Sequence, residues 1–474
     1  MFGDQKNSRT PFSLGSLQPG VSRRQALKSA SAGFGYLALA GLLGQDRARA
    51  ADAPSAAPAL PNPLAPKPPH FPAKANRIIF LFQQGAISQV DTFEYKPRVQ
   101  ADDGKPGPGG GKVVGSKFKF AQHGETGTWI SELYPHVARY VDKLCFIRGL
   151  HTDTPAHPEA VMQLHTGTAN VTLTRPSMGS WLLYGLGTEN NDLPGYVTIN
   201  PSPNFGGAAN YGSAFLPAHF QGSKFSDQGF MPNLKAQAHE RLQRRQLDLV
   251  QAMNRDLGAT SGAPDELDGV IQSYELAFKM QGKVPEILDI SREPQHVLDA
   301  YGVKPGAAGS YARQCLMARR LCEAGVRFVE VCQPGWDHHN NLHKGLIANA
   351  GMTDQPTAAL LVDLEQRGLL DDTLVLFGSE FGRMPTAQGV DGRDHNITGY
   401  PMWLAGGGVK AGFSYGATDE YGLKAVEGRM HTTDLHATLL ALMGLDHEQL
   451  TYNYAGRDFR LTDVAGNVVR EIFA

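Results

Sequence analysis

Short apolar runs recur along the chain and alternate with segments of helical period. Arg77 to Phe82 (RIIFLF), Leu144 to Ile147 (LCFI), Gly195 to Ile199, Val326 to Cys332 and Thr373 to Phe377 (TLVLF) are continuous and rich in β-branched or aromatic residues. That pattern suits strands buried on both faces, as in a parallel sheet. Between them, helical periodicity predicts helices over Trp129–Tyr140, from Pro155 or Pro158 to Thr166-Gly167, and over Ser177–Leu186, Ser310–Ala324, Thr357–Arg367 and Thr433–Met443. Tyr400–Ala405 reads as a further strand. Residues 201–230 show no clear period, and about 230–302 turn helical and charged, a helical insertion or cap whose charge runs are most simply solvated faces. Strands alternating with helices predict an α/β fold, a mainly parallel sheet with helices on both faces.

Composition narrows the function classes. A chain of 474 residues holds one large or two medium domains. Its 44 Lys and Arg nearly balance 46 Asp and Glu, so no global field recruits nucleic acid or an anionic membrane. Residues 1–50 read as a twin-arginine signal peptide: Ser22-Arg23-Arg24-Gln25-Ala26-Leu27-Lys28, an apolar stretch from Ala30 to Gly44, and a small-x-small site at Ala48-Arg49-Ala50. The apolar stretch is shorter than the ~20 residues a membrane span needs. The expectation is export to the periplasm, with no transmembrane anchor after cleavage. Residues 51–72 read as an extended Ala/Pro linker, and 73–474 as the folded domain. Cys145, Cys315, Cys322 and Cys332 show no CxxC spacing and are expected as buried free thiols rather than zinc ligands.

Candidate chemistry gathers just beyond the predicted strands, where open α/β sheets place their sites. Asp337 and His339, with His343 near them, follow the Val326–Cys332 strand, and such Asp/His sets suit a divalent metal. Glu380 and His395 follow Thr373–Phe377 and could complete the set. Arg383 is a candidate oxyanion clamp, or else pairs structurally with Glu380 or Asp394, and Arg393 carries the same two readings. Asp91 is a candidate ligand, or a turn residue bonding its own backbone. Thr154 is a nucleophile activated by a metal, or a helix N-cap, and His157 a ligand or base.

These motifs carry a resemblance. IIFLFQQGAISQVDTFEYKP, HTDTPAHPEAVMQLHTG, WDHHNNLH, FGSEFGRMP…GRDHN and HTTDLHATLLALMGLDHEQLTY resemble the exported family of domain of unknown function 1501 (DUF1501), abundant in planctomycete-type bacteria. That family in turn is similar to the alkaline phosphatase and sulfatase superfamily. The resemblance implies a three-layer α/β/α sandwich and metal-assisted hydrolysis of phosphate or sulfate esters, using zinc, manganese, iron or calcium on an anionic small-molecule or glycan ester. It implies a metal pair at Asp337 and His339 and a later ligand at His395. Glu380-Phe381 stands where the superfamily has Asp-His, and Gln84-Gly85 where it has Asp-Gly. The rival expectation is a catalytically degenerate binding or scaffold protein on the same fold.

Overall fold

The computed structural model describes residues 62–229, 240–261, 264–307 and 309–474. The expected signal peptide and the first part of the linker lie outside them. The remainder of the stretch expected as a free linker is docked: Leu64 is buried, and the Lys67 and His70 amides donate to Leu186 and Gly444 carbonyls. Asn62–Ala474 forms one compact unit.

Its centre is a nine-stranded sheet. Its strands in chain order are β1 (Arg77–Gln83), β2 (Leu144–His151), β3 (Tyr196–Ile199), β4 (Ser223–Phe225), β5 (Phe328–Gln333) and β6 (Thr373–Gly378), which a hairpin of β7 (Gly382–Gln388) and β8 (Gly392–Asn396), outside this sheet, separates from β9 (Tyr400–Ala405), β10 (Phe413–Tyr415) and β11 (Met430–His431). The spatial order is β10-β2-β9-β6-β1-β5-β3-β4, with β11 also paired to β2. Strand β9 pairs antiparallel with both β2 and β6, while the other pairings within the sheet are parallel.

Alternation along β1 explains the layers. Ile79 and Leu81 enter one core, shared with α5 (Tyr311–Glu323) and α6 (Leu342–Gln366). Ile78, Phe80 and Phe82 enter the other, shared with α1 (His157–Thr166), α2 (Met178–Leu186) and α7 (Thr432–Leu442). Period-two alternation in a run apolar at every position gives a sheet with two dry faces. The fold is thus a three-layer α/β/α sandwich with a mainly parallel sheet. Helices α3 (Glu240–Ser261) and α4 (Pro264–Leu288) form the insertion, and α4 packs against α5 and residues 218–220.

Two local expectations are corrected. Trp129–Tyr140 is not a helix: Thr128–Ser131 pairs antiparallel with Phe120–His123, and Val137–Lys143 is a 3₁₀ turn beyond Pro135. Helix α6 begins fifteen residues before the predicted Thr357, because the apolar residues Leu346, Ala350, Leu360, Leu361 and Leu364 carry the helix through Pro356. The segment between β6 and β9 that carries Arg383 and His395 is the β7–β8 hairpin. Among the described residues no helix is long and apolar enough to cross a membrane. All four cysteines are buried and unpaired.

Candidate metal centre

Because β1, β2, β5 and β6 run the same way, their carboxyl ends meet at one edge of the sheet. The loop after β2 leads to His157 at the first position of α1. The loop after β5 carries Asp337 and His339, and side-chain alternation turns Trp336 and His338 the other way. Trp336 Nε1 donates to Gln83 Oε1 over 3.1 Å, and His338 is buried against Gly345, where a Cβ would meet its ring at 2.2 Å. Strand β8 supplies His395.

Four side chains converge. His157, Asp337, His339 and His395 each present one ligand atom, all within 4.8 Å of one another. Asp337 Oδ1 is the focus: His339 Nε2 lies 2.9 Å away, His157 Nε2 3.2 Å and His395 Nε2 3.5 Å. Each imidazole is oriented by its other nitrogen. His157 Nδ1 faces Glu380 Oε1 at 2.6 Å, His395 Nδ1 faces the Pro155 carbonyl at 2.5 Å, and His339 Nδ1 faces Gln388 Oε1. All three partners are acceptors, which places the proton on Nδ1 and the lone pair on Nε2 in a neutral ring. Three lone pairs then point at a carboxylate oxygen. Such a set is balanced only by shared protons or a cation. His157 Nε2 is moreover buried without a hydrogen-bond partner, being close to Asp337 but outside bonding geometry. The donor chemistry therefore fits a divalent metal, with the outer oxygens orienting its ligands as metal-site histidines require.

Burial acts to lower the His157 pKa, but the nearby carboxylates of Asp337 and Glu380 outweigh it and raise it to about 9. Burial would raise the Asp337 carboxyl, yet His157, His395 and Arg383 hold it well below the usual carboxylate range.

The other expected site residues are distributed as follows. Glu380 is buried behind His157, its carboxylate accepting from the Gly85 amide at 2.9 and 3.2 Å. Arg383 is wholly buried; it donates to Asp337 Oδ1 at 2.6 Å and to the carbonyls of Gly85, Ala86, Trp336 and Arg393. Those bonds turn it inward, onto Asp337 and the loops behind it. Asp91 is also buried and is held by Arg393, with Nε–Oδ2 at 2.8 Å, and by the Ser88 hydroxyl at 2.5 Å. It lies outside the converging set. The Thr154 hydroxyl accepts from the Ala156 amide at 3.2 Å, two residues away, and His343 stacks on Phe118.

Spacing gave no sign of three further contributors. Phe205 and Phe381 stack on His157, with centroids 5.0 and 4.8 Å away. Gly85 has φ +110°, and a Cβ there would meet the Asp337 amide nitrogen at 2.6 Å, so a glycine is needed for β1 to approach this loop. The QQG turn was legible as a strand end, but its approach to Asp337 was not.

The family model described as Protein of unknown function (DUF1501) matches residues 75–473. No curated protein matches the chain. Among solved structures it is similar to the lipoteichoic acid synthase LtaP from Listeria monocytogenes, at 10% identity over 84% of this chain and 78% of that one, with a TM-score of 0.36. It is similar also to the PsFucS1 sulfatase from Pseudoalteromonas sp., at 14% identity over 79% and 68%, with a TM-score of 0.35. A third is a protein in the alkaline phosphatase superfamily from Vibrio parahaemolyticus, at 10% identity over 82% and 71%, also with a TM-score of 0.35.

Proposed function

The chain belongs to the DUF1501 family, and we propose that it is an exported metal-dependent hydrolase of phosphate or sulfate esters. The observation that carries this reading is the convergence of three imidazole Nε2 atoms on one oxygen of Asp337, each ring fixed by an acceptor at Nδ1.

His157, Asp337, His339 and His395 would hold the ion. Three nitrogens and one oxygen favour zinc, manganese or iron over calcium, which takes oxygen ligands. When bound, such an ion polarises an ester oxygen and makes a nucleophile available near neutral pH. The protein's part is orientation. Glu380 keeps the His157 proton on Nδ1, and the Gly85 amide keeps Glu380 in place. Arg383 holds Asp337 and offsets its charge. Phe205 and Phe381 shield the faces of His157 from water, while Asp337 stays exposed on the side a substrate would approach. Pro155 ties the Asp153–Pro155 loop to His395, which makes Thr154 the hydroxyl to test as an attacking group at the rim.

A second reading has its own support. Asp91 and Glu380, the further carboxylates expected as ligands, are turned inward, so a second ion would lack these two donors. That favours a protein retaining one metal for binding, with turnover lost. Elemental analysis of the exported chain, purified without chelator, tests both. We expect about one ion per chain, abolished in the Asp337→Ala/His339→Ala variant. A folded chain that stays empty after zinc, manganese, iron and calcium are offered would sink the metal reading. A loaded chain inert towards p-nitrophenyl phosphate and sulfate would support the binding reading.

A further inference from the structure

A second concavity, of about 350 Å³, opens where the Phe120–His123/Thr128–Ser131 hairpin faces residues 93–96, Arg148 and Ser414. Its volume falls within the range of small-ligand sites. None of the candidate metal ligands lines it.

One wall is aromatic. Tyr95 lies between Phe120 and Trp129, with centroids 5.2 and 4.6 Å away. Trp129 is 38% exposed, whereas Trp181, Trp336 and Trp403 are at 1% or less. The indole left open beside the cavity, in a chain that buries its other three, gives that cavity an aromatic face. The opposite wall is polar and charged. Arg148 donates to the Phe93 carbonyl and Ser414 Oγ, both over 3.0 Å, and its guanidinium lies 4.8 Å from the centre of the Phe146 ring. Lys96 pairs with Glu94 at 3.1 Å, and the second oxygen of Glu94 is buried without a hydrogen-bond partner. Two cations therefore face one carboxylate.

We propose that this cleft binds a saccharide carrying an acidic substituent. The C–H face of a pyranose packs against the electron-rich face of an indole, and its hydroxyls need donors and acceptors arrayed beside that ring. Trp129 supplies the platform, and Thr126, Thr128, Glu94 and Ser414 supply polar groups around it. The excess positive charge of Lys96 and Arg148 selects a carboxylated or sulfated sugar and excludes a quaternary ammonium, which an aromatic wall alone would attract. The inference stands without the hydrolase reading, because binding is read without turnover.

Trp129 is the one accessible tryptophan, so acrylamide quenching of the whole chain reports on the cleft. Trigalacturonate, a heparin-derived tetrasaccharide and a carrageenan tetrasaccharide form the panel, with cellotriose, AMP and tetramethylammonium as comparisons. We expect at least one acidic sugar to protect Trp129 with a Kd of roughly 0.1–1 mM. Arg148→Lys should weaken that binding about tenfold, as loss of a forked donor does. Trp129→Ala, a change on an exposed hairpin, should abolish retardation of the chain in gels containing the same polysaccharide. Protection by no sugar, equal protection by cellotriose, or protection only by AMP or tetramethylammonium would overturn the proposal.

Discussion

Asp91 and Arg393 are both sealed from water, and each is the other's charge partner. A strand-end carboxylate can serve a metal or a guanidinium with equal ease, and the choice rests on what the fold puts opposite. Here Arg393, 302 positions away, reaches Asp91 from β8. Asp91→Asn should therefore cost about 3–5 kcal/mol in urea unfolding, since it strands a buried cation. Metal content should stay at the wild-type level; its loss would return Asp91 to the ligand set. Asp337 and His339 were legible because they follow a clear apolar strand two residues apart, a spacing that puts both on one side. Gln388 and Phe205 were not, because nothing local distinguishes a glutamine or a phenylalanine that orients a ligand from one that does not.

At the scale of elements, the β7–β8 hairpin holds the site together. Gln89 anchors it as a further strand would: Oε1 accepts the Arg383 amide at 2.8 Å, while Nε2 donates to the Arg383 carbonyl at 2.8 Å and the Gly422 carbonyl at 2.9 Å. Gln89→Ala should lower stability by about 2–3 kcal/mol, the cost of leaving buried backbone groups unpaired, and should weaken metal retention through Arg383. Intact retention under competing chelator would detach the hairpin from the site. Six of the nine strands of the central sheet were predictable because long-range pairing reinforced runs already apolar throughout, whereas β4, β10 and β11 are three residues or fewer and carry no such run. Trp129–Tyr140 misled because its period suited a helix, while pairing with Phe120–His123 offered β-ladder bonds instead. Helix α6 misled in the opposite way, since packing into one apolar core can hold a helix together across a proline that local rules treat as a stop.

For the molecule as a whole, a bound ion should couple to folding. A ligand present at 100 times its Kd stabilises the native state by about 2.7 kcal/mol. Stripping the metal with EDTA should accordingly lower the Tm of the wild-type chain and leave that of Asp337→Ala/His339→Ala unmoved; equal shifts would place the ion elsewhere. Acid should act independently. Burial lowers the His436 pKa to about 4, against about 6.5 in an unfolded chain. Between those values the unfolded state takes up a proton that the folded state refuses, so this contribution to stability falls as the pH drops through that window. The slope approaches about 1.4 kcal/mol per pH unit. Urea unfolding from pH 7 to 4.5 should show a shallower decline in His436→Gln, and an unchanged slope would refute the assignment. By itself the sequence determined the α/β class, where the six longer apolar strands lie along the chain and the DUF1501 membership, and it offered all four converging side chains, together with Asp91 and Glu380, as candidates, since each is written in local period or in a continuous motif. Only the tertiary structure decided which strand-end groups meet: parallel pairing of β1, β5 and β6, with β2 brought alongside through β9, gathers four loops at one edge. The fold then turns His157 and His395 toward Asp337, which Arg383 holds, while Gly85 and Arg393 draw Glu380 and Asp91 inward, a selection made by contacts between residues up to 302 positions apart.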